Sequence, residues 1–319
     1  MPGAKERELR RRIGSVQSTK KITRAMELIA ATRVVKAMQR SNEAKPYSTQ
    51  VTSVIENLTS AGARISHPLL REAEEAKRVG LIAITSDRGL AGSYNASVIK
   101  AAERQLDAAR NDGSDYALIL IGKKANDYFS FRNYEIAQSY TEISDSPTYE
   151  NAREVAGKVV EMFEAGELDR VELIYTEFIT MGTQKVTVRR YLPLVAQDSI
   201  AEEGDGSSDA VAEFDFEPSP EGVLESLLPR YMESRLYSAL LEAAASEHAN
   251  RQRAMKAATD NAEDLIVKLS REMNQARQAA ITTEIMEIVG GAEALGGEDD
   301  EIVRPVSYTH LTLPTIYSV

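Results

Sequence analysis

The feature that most constrains the fold is a stretch of sixty residues, 230–289, that contains neither glycine nor proline. As a single helix it would be roughly 90 Å long, at a rise of ~1.5 Å per residue. A helix of that length extends well beyond an ordinary domain, so it cannot bury an apolar stripe against a compact domain from end to end. The stretch therefore needs a partner helix of comparable reach.

The inner positions of this stretch follow a heptad repeat. Steps of three and four residues alternate, apart from one four-residue stutter between Leu269 and Met273. The predicted inner residues are Tyr237, Leu241, Ala244, His248, Arg251, Met255, Ala258, Ala262, Leu265, Leu269, Met273, Ala276 and Ala280. Many are alanine, which lets two helix axes approach closely. The pattern predicts a thin two-stranded coiled coil, in which His248 is a packed core residue rather than a ligand.

The N-terminal segment is the only candidate partner in the chain. Between residues 4 and 45 there is one glycine and no proline, and we expect Pro46 to kink or interrupt the helix. Apolar residues recur at helical spacing: Leu9, Ile13 and Val16, then Ile22, Met26 and Ile29. We expect residues 1–60 and 221–296 to pair antiparallel, because the rest of the chain lies between them.

The centre of the chain, residues 75–195, has a different pattern. Short β-rich runs at 79–86, 116–122 and 171–180 are separated by helical patterns at about 93–111 and 148–165. This alternation predicts a parallel α/β sheet. Residues 183–194 alternate more weakly and are interpreted as an added edge strand.

Two segments differ in composition from the rest. Residues 196–220 contain eight acidic residues and no basic one, with Gly, Ser and Pro, which predicts a flexible acidic loop. Residues 297–319 form a tail, whose last part, 305–319, has no Asp, Glu, Lys or Arg. The abrupt change after the acidic run suggests that 305–319 is a non-native extension.

Charge and residue usage exclude several classes of site. The chain carries a net charge of −11, yet residues 1–45 hold twelve Lys or Arg against four Glu, so an anionic partner or a solvated basic face is indicated. With no cysteine there is no disulfide, thiolate metal site or cysteine nucleophile. No run is long and apolar enough for a membrane span or a secretory signal, so we expect a cytoplasmic protein without direct membrane insertion.

Three strings carry a resemblance to a known family. They are IGSVQSTKKITRAMELIAATRVVKA (13–37), SDRGLAGSYN (86–95), and SEHANRQRAMKAATDNAEDLI (246–266) followed by NQARQAAITTEIMEIVGGAEAL (274–295). In this order and at these separations they resemble the gamma subunits of F-type ATP synthases. The resemblance implies an antiparallel coiled coil of the terminal helices and a central Rossmann-like domain.

The resemblance also implies a function and partners. The family's coiled coil lies within a hexamer of alpha and beta subunits, and its central domain contacts the epsilon subunit and the membrane c-ring. The chain would then be a non-catalytic rotor shaft of a proton-translocating enzyme, peripheral on the cytoplasmic face of the cell membrane. The residues that would contact other subunits or couple the coil are Lys20, Lys21, Arg24, Met26, Arg251, Arg277, Gln278, Thr282, Glu284 and Glu287.

Two other functions stay open at the level of sequence. SDRGLAGS could be the phosphate-binding turn of an enzyme, but Gly89 and Gly92 do not make a GxGxxG motif and no Walker lysine follows, and close helix–strand packing would explain these glycines. The basic N-terminal helix could belong to a coiled-coil nucleic-acid-binding or structural protein, although no aromatic residue interleaves its charges before Tyr47. No catalytic residue, cofactor or metal ligand is predicted.

Overall fold

Long helices begin and end the described part of the chain, and short strands and helices alternate between them. The computed structural model describes residues 4–60, 67–71, 73, 76–194 and 220–295. The elements are α1 (Ala4–Ser60), a single 3-10 turn (Pro68–Leu70), β1 (Arg78–Ile84), α2 (Tyr94–Asn111), β2 (Asp115–Ile121), α3 (Lys123–Phe131), β3 (Ile136–Tyr140), α4 (Tyr149–Glu164), β4 (Arg170–Phe178), β5 (Gln184–Leu192) and α5 (Pro220–Leu295). The predicted acidic loop, except Pro220, and the tail 297–319 lie outside the described residues.

Five strands form one sheet in the order β3-β2-β1-β4-β5. The first four are parallel, and β5 pairs antiparallel with β4 at one edge. The predicted parallel α/β sheet and its added edge strand are therefore confirmed. Strand β3 was not predicted, because its short sequence IAQSY lacks the apolar run that marks the other parallel strands. The nine-residue helix α3 was not predicted either.

Helices cover both faces of the sheet. Alternate residues of each strand point to opposite faces, so each strand contributes side chains to two apolar clusters. On one face Ile82, Ile119 and Leu173 pack with α4 and with the beginning of α5. On the other face Leu81 and Leu120 pack with α2 and α3. The central strands are apolar on both faces, which is why they read as continuous apolar runs in the sequence.

The chain divides into two compact units, Met1–Gln17 with Asp264–Val319, and Ser18–Glu263. In the larger unit α1 and α5 run antiparallel: the Lys20 ammonium lies 3.1 Å from a Glu263 carboxylate oxygen, and the hydroxyls of Thr23 and Thr259 are 2.8 Å apart.

In the smaller unit the two terminal helices also pack together. Leu9 and Ile13 of α1 form an apolar cluster with Leu269 of α5, and partly buried residues extend it: Val16, Ile266, Met273 and Ala276. The expected pairing of the terminal helices is therefore found.

The predicted register of α5 is wrong at two of the inner positions, Ala258 and Leu265. Leu265, predicted as an inner residue, is 37% exposed, whereas Ile266 packs into the apolar cluster. The extra four-residue step of the repeat lies between Met255 and Thr259, directly after the four-residue step from Arg251 to Met255. The buried Thr259 takes the inner position there. Inner positions after it then alternate by three and four residues, so the expected stutter between Leu269 and Met273 is not needed.

Helix α1 also differs from its prediction. Ile22 and Ile29 are 61% and 53% exposed, and the buried positions beside them are Thr23 and Ala30. Of the kink or interruption expected at Pro46, the interruption does not occur, since α1 continues through this residue to Ser60. Within the described residues, no helix combines the length and apolar character that crossing a membrane requires.

Candidate functional site

The basic residues predicted on α1 differ in how firmly the chain itself holds them. Lys20 is half-buried and pairs with Glu263, while Lys21 is exposed. Arg24 donates to both carboxylate oxygens of Glu27 at 2.9 Å. The partner of Lys20 is mostly exposed, so this cation can exchange partners at small cost. Glu27 is only 8% exposed, so releasing Arg24 would leave a buried carboxylate without this partner.

Exposed apolar side chains lie beside these cations. Met26 is half-buried, and its neighbours Ile22 and Ile29 are mostly exposed, at the helical spacing i, i+4 and i+7. Leu28 is 56% exposed on the same helix. We call the exposed residues Lys21, Ile22, Arg24, Leu28 and Ile29, with Met26, the α1 patch. A patch of this type is typical of a surface that another molecule covers.

The predicted contact residues near the end of α5 are all exposed: Arg277, Gln278, Thr282, Glu284 and Glu287. The Thr282 hydroxyl donates to the Gln278 carbonyl within the helix, at 3.0 Å. Large apolar side chains are exposed in the same turns, namely Ile281, Ile285, Met286, Ile288 and Val289. Every described residue from 281 to 294 is exposed, so this end of α5 presents polar and apolar groups all round.

Arg251 differs from the other predicted contact residues because it is buried. Only 9% of its side chain is exposed, and its Nη2 lies 2.6 Å from Glu247 Oε1 on the same helix. The same nitrogen donates to the carbonyl oxygens of Arg88 and Gly89, at 3.4 and 3.3 Å. Arg88 and Gly89 belong to the β1–α2 loop, residues 85–93. Arg251 is therefore bound inside the chain, between α5 and this loop.

His248 completes the surroundings of Arg251. Its Nδ1 is 3.3 Å from Nη1 of Arg251, and its Nε2 is 3.1 Å from the backbone carbonyl of Asp145. Since guanidinium only donates, Nδ1 must accept and Nε2 must carry the proton. Burial lowers the pKa of His248, which keeps this neutral tautomer. The sequence-based interpretation of His248 as a packed residue rather than a ligand agrees with this geometry.

Glu247 is a buried carboxylate with one unused oxygen. Burial raises its pKa from 4.5 to about 7, although Arg251 opposes the rise, and the nearby carboxylates of Asp145 and Asp87 add to it. Its Oε2 and the Oδ1 of Asp145 are buried without a hydrogen-bond partner. The other oxygen of Asp145 is bound by Arg33 of α1. The buried polar cluster is defined here as Arg33, Asp87, Asp145, Glu247, His248 and Arg251.

The cluster contains one group of side chains with the composition of a metal site. Asp145, Glu247 and His248 offer ligand atoms within 4.8 Å of one another. Both ring nitrogens of His248, however, are engaged in hydrogen bonds, and an arginine binds each carboxylate. These contacts are those of a buried network of ion pairs and hydrogen bonds rather than of a metal site. A metal ion bound to His248 Nε2 would have to displace the proton on that nitrogen.

Asp87 fixes the start of the β1–α2 loop. It accepts hydrogen bonds from the Ser144 backbone and hydroxyl at 3.1 and 2.8 Å, and from the Lys123 backbone at 3.0 Å. Burial raises the pKa of Asp87, but these hydrogen bonds and one involving the backbone of Glu142 outweigh burial, so the net pKa lies below its usual value. The carboxylate is therefore ionised and firmly bound.

The start of the same loop does not offer its amides to a phosphate. The backbone amides of Ser86 and Asp87 donate to Asn95 and Ser144, so they are not available to an anion. The expected close packing at the loop glycines is not found, since an added Cβ would meet nothing nearer than 3.9 Å at Gly89 or Gly92. Gly92 has φ of +58°, a conformation that favours glycine.

Sequence reasoning missed several members of the cluster. Glu247 and Arg251 are four residues apart on a helix, a spacing that predicts an ion pair but not its burial. Asp145 and Asp87 lie in loops far away in the sequence, and nothing in their local pattern indicates that they meet α5. A tertiary contact between α5 and the carboxyl edge of the sheet was needed to find them.

Comparison with known proteins places this geometry in a family. A model of the ATP synthase family matches residues 5–295. The ATP synthase gamma chain of Frankia casuarinae is 48% identical over 293 residues, covering 91% of this chain and 97% of the relative. That of Mycolicibacterium smegmatis is 46% identical over 305 residues, with 91% and 98% covered.

Solved structures agree with the sequence relatives. A chain of the Tetrahymena thermophila mitochondrial ATP synthase central stalk and c-ring is 28% identical, with a TM-score of 0.57, and the match covers 74% of this chain and 99% of that one. A chain of the Euglena gracilis mitochondrial enzyme, 16% identical with a TM-score of 0.64 and 95% and 99% covered, shares the fold. By sequence and by fold, this chain belongs to the ATP synthase gamma-chain family.

Proposed function

We propose that the chain is the rotor shaft of a proton-translocating F-type ATP synthase and transmits torque between the membrane c-ring and a catalytic hexamer of alpha and beta subunits. The observation that carries the proposal is the pairing of α1 and α5, two long helices that contact each other in both units and carry exposed apolar side chains on their outer faces. A helix pair resists bending and twisting better than one helix. Because it resists twisting, such a pair can transmit torque along its length.

The outer faces are the proposed contacts with the hexamer. In an isolated chain, water would contact the exposed apolar side chains within 281–289 of α5 and those of the α1 patch. Covering this apolar surface is favourable by ~25 cal/mol per Å². Lys20, Lys21, Arg24 and Met26 would face acidic loops of the beta subunits. Long-range attraction lets a basic face move from one acidic loop to the next as the shaft turns.

The end of α5 is the second proposed contact. Arg277 and Gln278 are exposed donors that can reach carboxylates or loop carbonyls, which suits a contact that forms and breaks during rotation. Thr282, Glu284 and Glu287 would support this contact or the coupling within the coil. Arg251 acts from inside the chain instead, because its guanidinium is bound to Glu247 and to the β1–α2 loop.

We assign the chain no catalytic site of its own. The buried groups that could do acid–base chemistry, Glu247, His248 and Asp87, bind other groups of the chain. The catalytic sites would lie in the hexamer, where an asymmetric shaft makes three otherwise equivalent sites different. Family membership leaves the nucleic-acid-binding alternative without a specific observation in its favour.

The proposed location and division of labour follow from this role. The chain would be peripheral on the cytoplasmic face of the cell membrane, held there by the c-ring and the epsilon subunit, which the central domain at 75–195 would contact. Residues 1–60 and 221–296 would form the coiled coil.

Substituting Met26 with lysine in the reconstituted complex tests the proposal. A fixed positive charge on the α1 patch should hold the beta-subunit loops too long, so fewer protons should be pumped per ATP hydrolysed while assembly is retained. Met38→Lys is the matched control, because Met38 is 37% exposed on the same helix and outside the α1 patch.

Three outcomes separate the possibilities. Reduced pumping per ATP in Met26→Lys alone supports the α1 patch as a hexamer contact. Normal coupling in both variants would reject the assignment of Met26 and its neighbours. A wild-type chain that does not co-purify with alpha and beta subunits would reject the rotor function as a whole.

A further inference from the structure

Arg251 joins helix α5 to the loop that follows the central strand of the sheet. Its guanidinium reaches the carbonyls of Arg88 and Gly89, which are 163 and 162 residues away in the sequence. Glu247, one turn earlier on α5 and 1% exposed, binds the same guanidinium at 2.6 Å and fixes its direction. All these residues belong to the unit Ser18–Glu263.

A second link starts from Asp145, in the segment between β3 and α4. Its side chain is bound by Arg33 of α1, and its backbone carbonyl lies 3.1 Å from His248 of α5. The adjacent Ser144 is tied to Asp87 of the β1–α2 loop. Both terminal helices are therefore linked by polar side chains to the carboxyl edge of the same sheet.

Polar links of this kind fix the orientation of α5 about its axis, which the surrounding apolar core does not. Apolar packing provides most of the adhesion between α5 and the sheet, but the hydrophobic effect has no direction. Hydrogen bonds weaken steeply when their angle changes, and those to charged groups are the strongest. A helix that turns about its own axis against the sheet must break the Arg251 contacts before it has moved by one side-chain width.

We propose that Arg251, oriented by Glu247, is a positioning residue that locks the rotational setting of helix α5 relative to the sheet, so that torque passes between them without slip. The proposal rests on the proposed rotor function and adds to it the place where the load enters the helix. Arg33 and His248 provide the corresponding contacts to Asp145, and the β1–α2 loop is the element that Arg251 holds.

The experiment uses the complete complex with three forms of the chain. Arg251→Met combined with Glu247→Gln removes the contact without leaving an unpaired buried charge. Arg251→Lys keeps the charge but cannot span the carboxylate and both carbonyls at once. Lys256→Met is the control, because Lys256 is an exposed cation on the same helix and outside the cluster.

Two measurements are made on each complex: protons pumped per ATP hydrolysed, and amide hydrogen exchange of the β1–α2 loop. In the double variant we expect retained hydrolysis, a loss of pumping per ATP, and roughly tenfold faster exchange in the loop, since one charge-assisted hydrogen bond corresponds to about that factor in a local opening equilibrium. Arg251→Lys should lie between the double variant and the wild type, and Lys256→Met should match the wild type.

The proposal is overturned if the double variant assembles and couples as the wild type does. If the double variant does not assemble, Arg251→Lys decides: wild-type values in both measurements reject the proposal, and a reduced coupling ratio with faster loop exchange supports it. Failure of the rotor function itself would show differently, as a wild-type chain that does not assemble with the hexamer.

Discussion

The hydroxyls of Thr23 on α1 and Thr259 on α5 lie 2.8 Å apart in a buried hydrogen bond between the two helices. Each hydroxyl also lies within hydrogen-bonding distance of its own helix backbone, Thr23 at the carbonyl of Lys20 and Thr259 at that of Met255. A hydroxyl has one proton, so only one of the two can donate across the pair. This contact sits where the four-residue step from Met255 to Thr259 ends, and it aligns the two helices.

Breaking this contact tests its part in the pairing. Thr259→Val should lower the free energy of unfolding by about 1 kcal/mol, because one buried hydrogen bond is lost. Thr23→Val combined with Thr259→Val should cost less than the sum of the single changes, since no hydroxyl is then left facing an apolar neighbour. Urea unfolding of the single and double variants measures both. Strictly additive costs would show that the two hydroxyls do not interact.

The raised pKa of Glu247 predicts a pH-dependent stability. The folded chain binds this proton up to about pH 7, whereas the unfolded chain releases it near pH 4.5. Between these values the folded state carries more protons, so stability falls as pH rises through the window and stays low above it. Full ionisation should cost about 3 kcal/mol, at ~1.36 kcal/mol for each pKa unit.

Glu247→Gln removes this titration. The difference in unfolding free energy between variant and wild type should change in favour of the variant as pH rises from 4.5 to 7, and should be constant above pH 8. Taking the difference cancels the opposite contribution of His248, whose lowered pKa makes the fold less stable as pH falls. A difference that does not vary with pH would show that Glu247 is not held as a buried, Arg251-bound acid.

Gly122, which joins β2 to α3, should tolerate no side chain. Its φ is +96°, and an added Cβ would lie 2.6 Å from the carbonyl carbon of Thr85. Gly113 has a similar φ of +75° but no atom within 4 Å of an added Cβ, so it serves as the matched control. Gly113→Ala should cost about 1–2 kcal/mol from backbone strain alone.

Gly122→Ala should cost clearly more than Gly113→Ala, because Thr85 belongs to the backbone that follows the central strand and cannot move freely. Thr85 Oγ1 also accepts the Ala125 amide at the start of α3, so any shift would disturb that helix. Thermal unfolding followed by circular dichroism compares the two variants. Equal losses would mean that the backbone at Thr85 gives way more easily than its hydrogen bonds indicate.

How much could be predicted from sequence depended on how unambiguous each local pattern is. The length of α5 and the apolar strands β1, β2 and β4 are strong local signals, and they were found. At Leu265 and Ile266 two large apolar residues are adjacent, so spacing alone cannot decide which one faces inward. Side chains of the partner helix make that choice, and they lie more than two hundred residues away.

For the functional residues too, local sequence patterns identify individual members, and tertiary contacts decide their surroundings. Arg251 was identified through the family strings, but its buried setting depends on the β1–α2 loop and on Glu247, which no local pattern brings together. Asp145 lies in an irregular segment where periodicity gives no information. Polar clusters built from several loops and helices are specified by the tertiary fold, so a single sequence gives only their individual members.

The register of α5 provides the last prediction. Ile266→Ala should lower the free energy of unfolding of the unit formed by Met1–Gln17 and Asp264–Val319 by about 2 kcal/mol, because Ile266 packs against the cluster of Leu9, Ile13 and Leu269.

Leu265→Ala removes a comparable volume from a side chain that is 37% exposed, so it should cost less than about 1 kcal/mol. Hydrogen exchange of α1 amides in residues 5–16 reports on this unit directly, and it should speed up in the Ile266 variant but hardly in the Leu265 variant. The reverse order would restore the stutter between Leu269 and Met273, because Leu265 would then be the residue that faces α1.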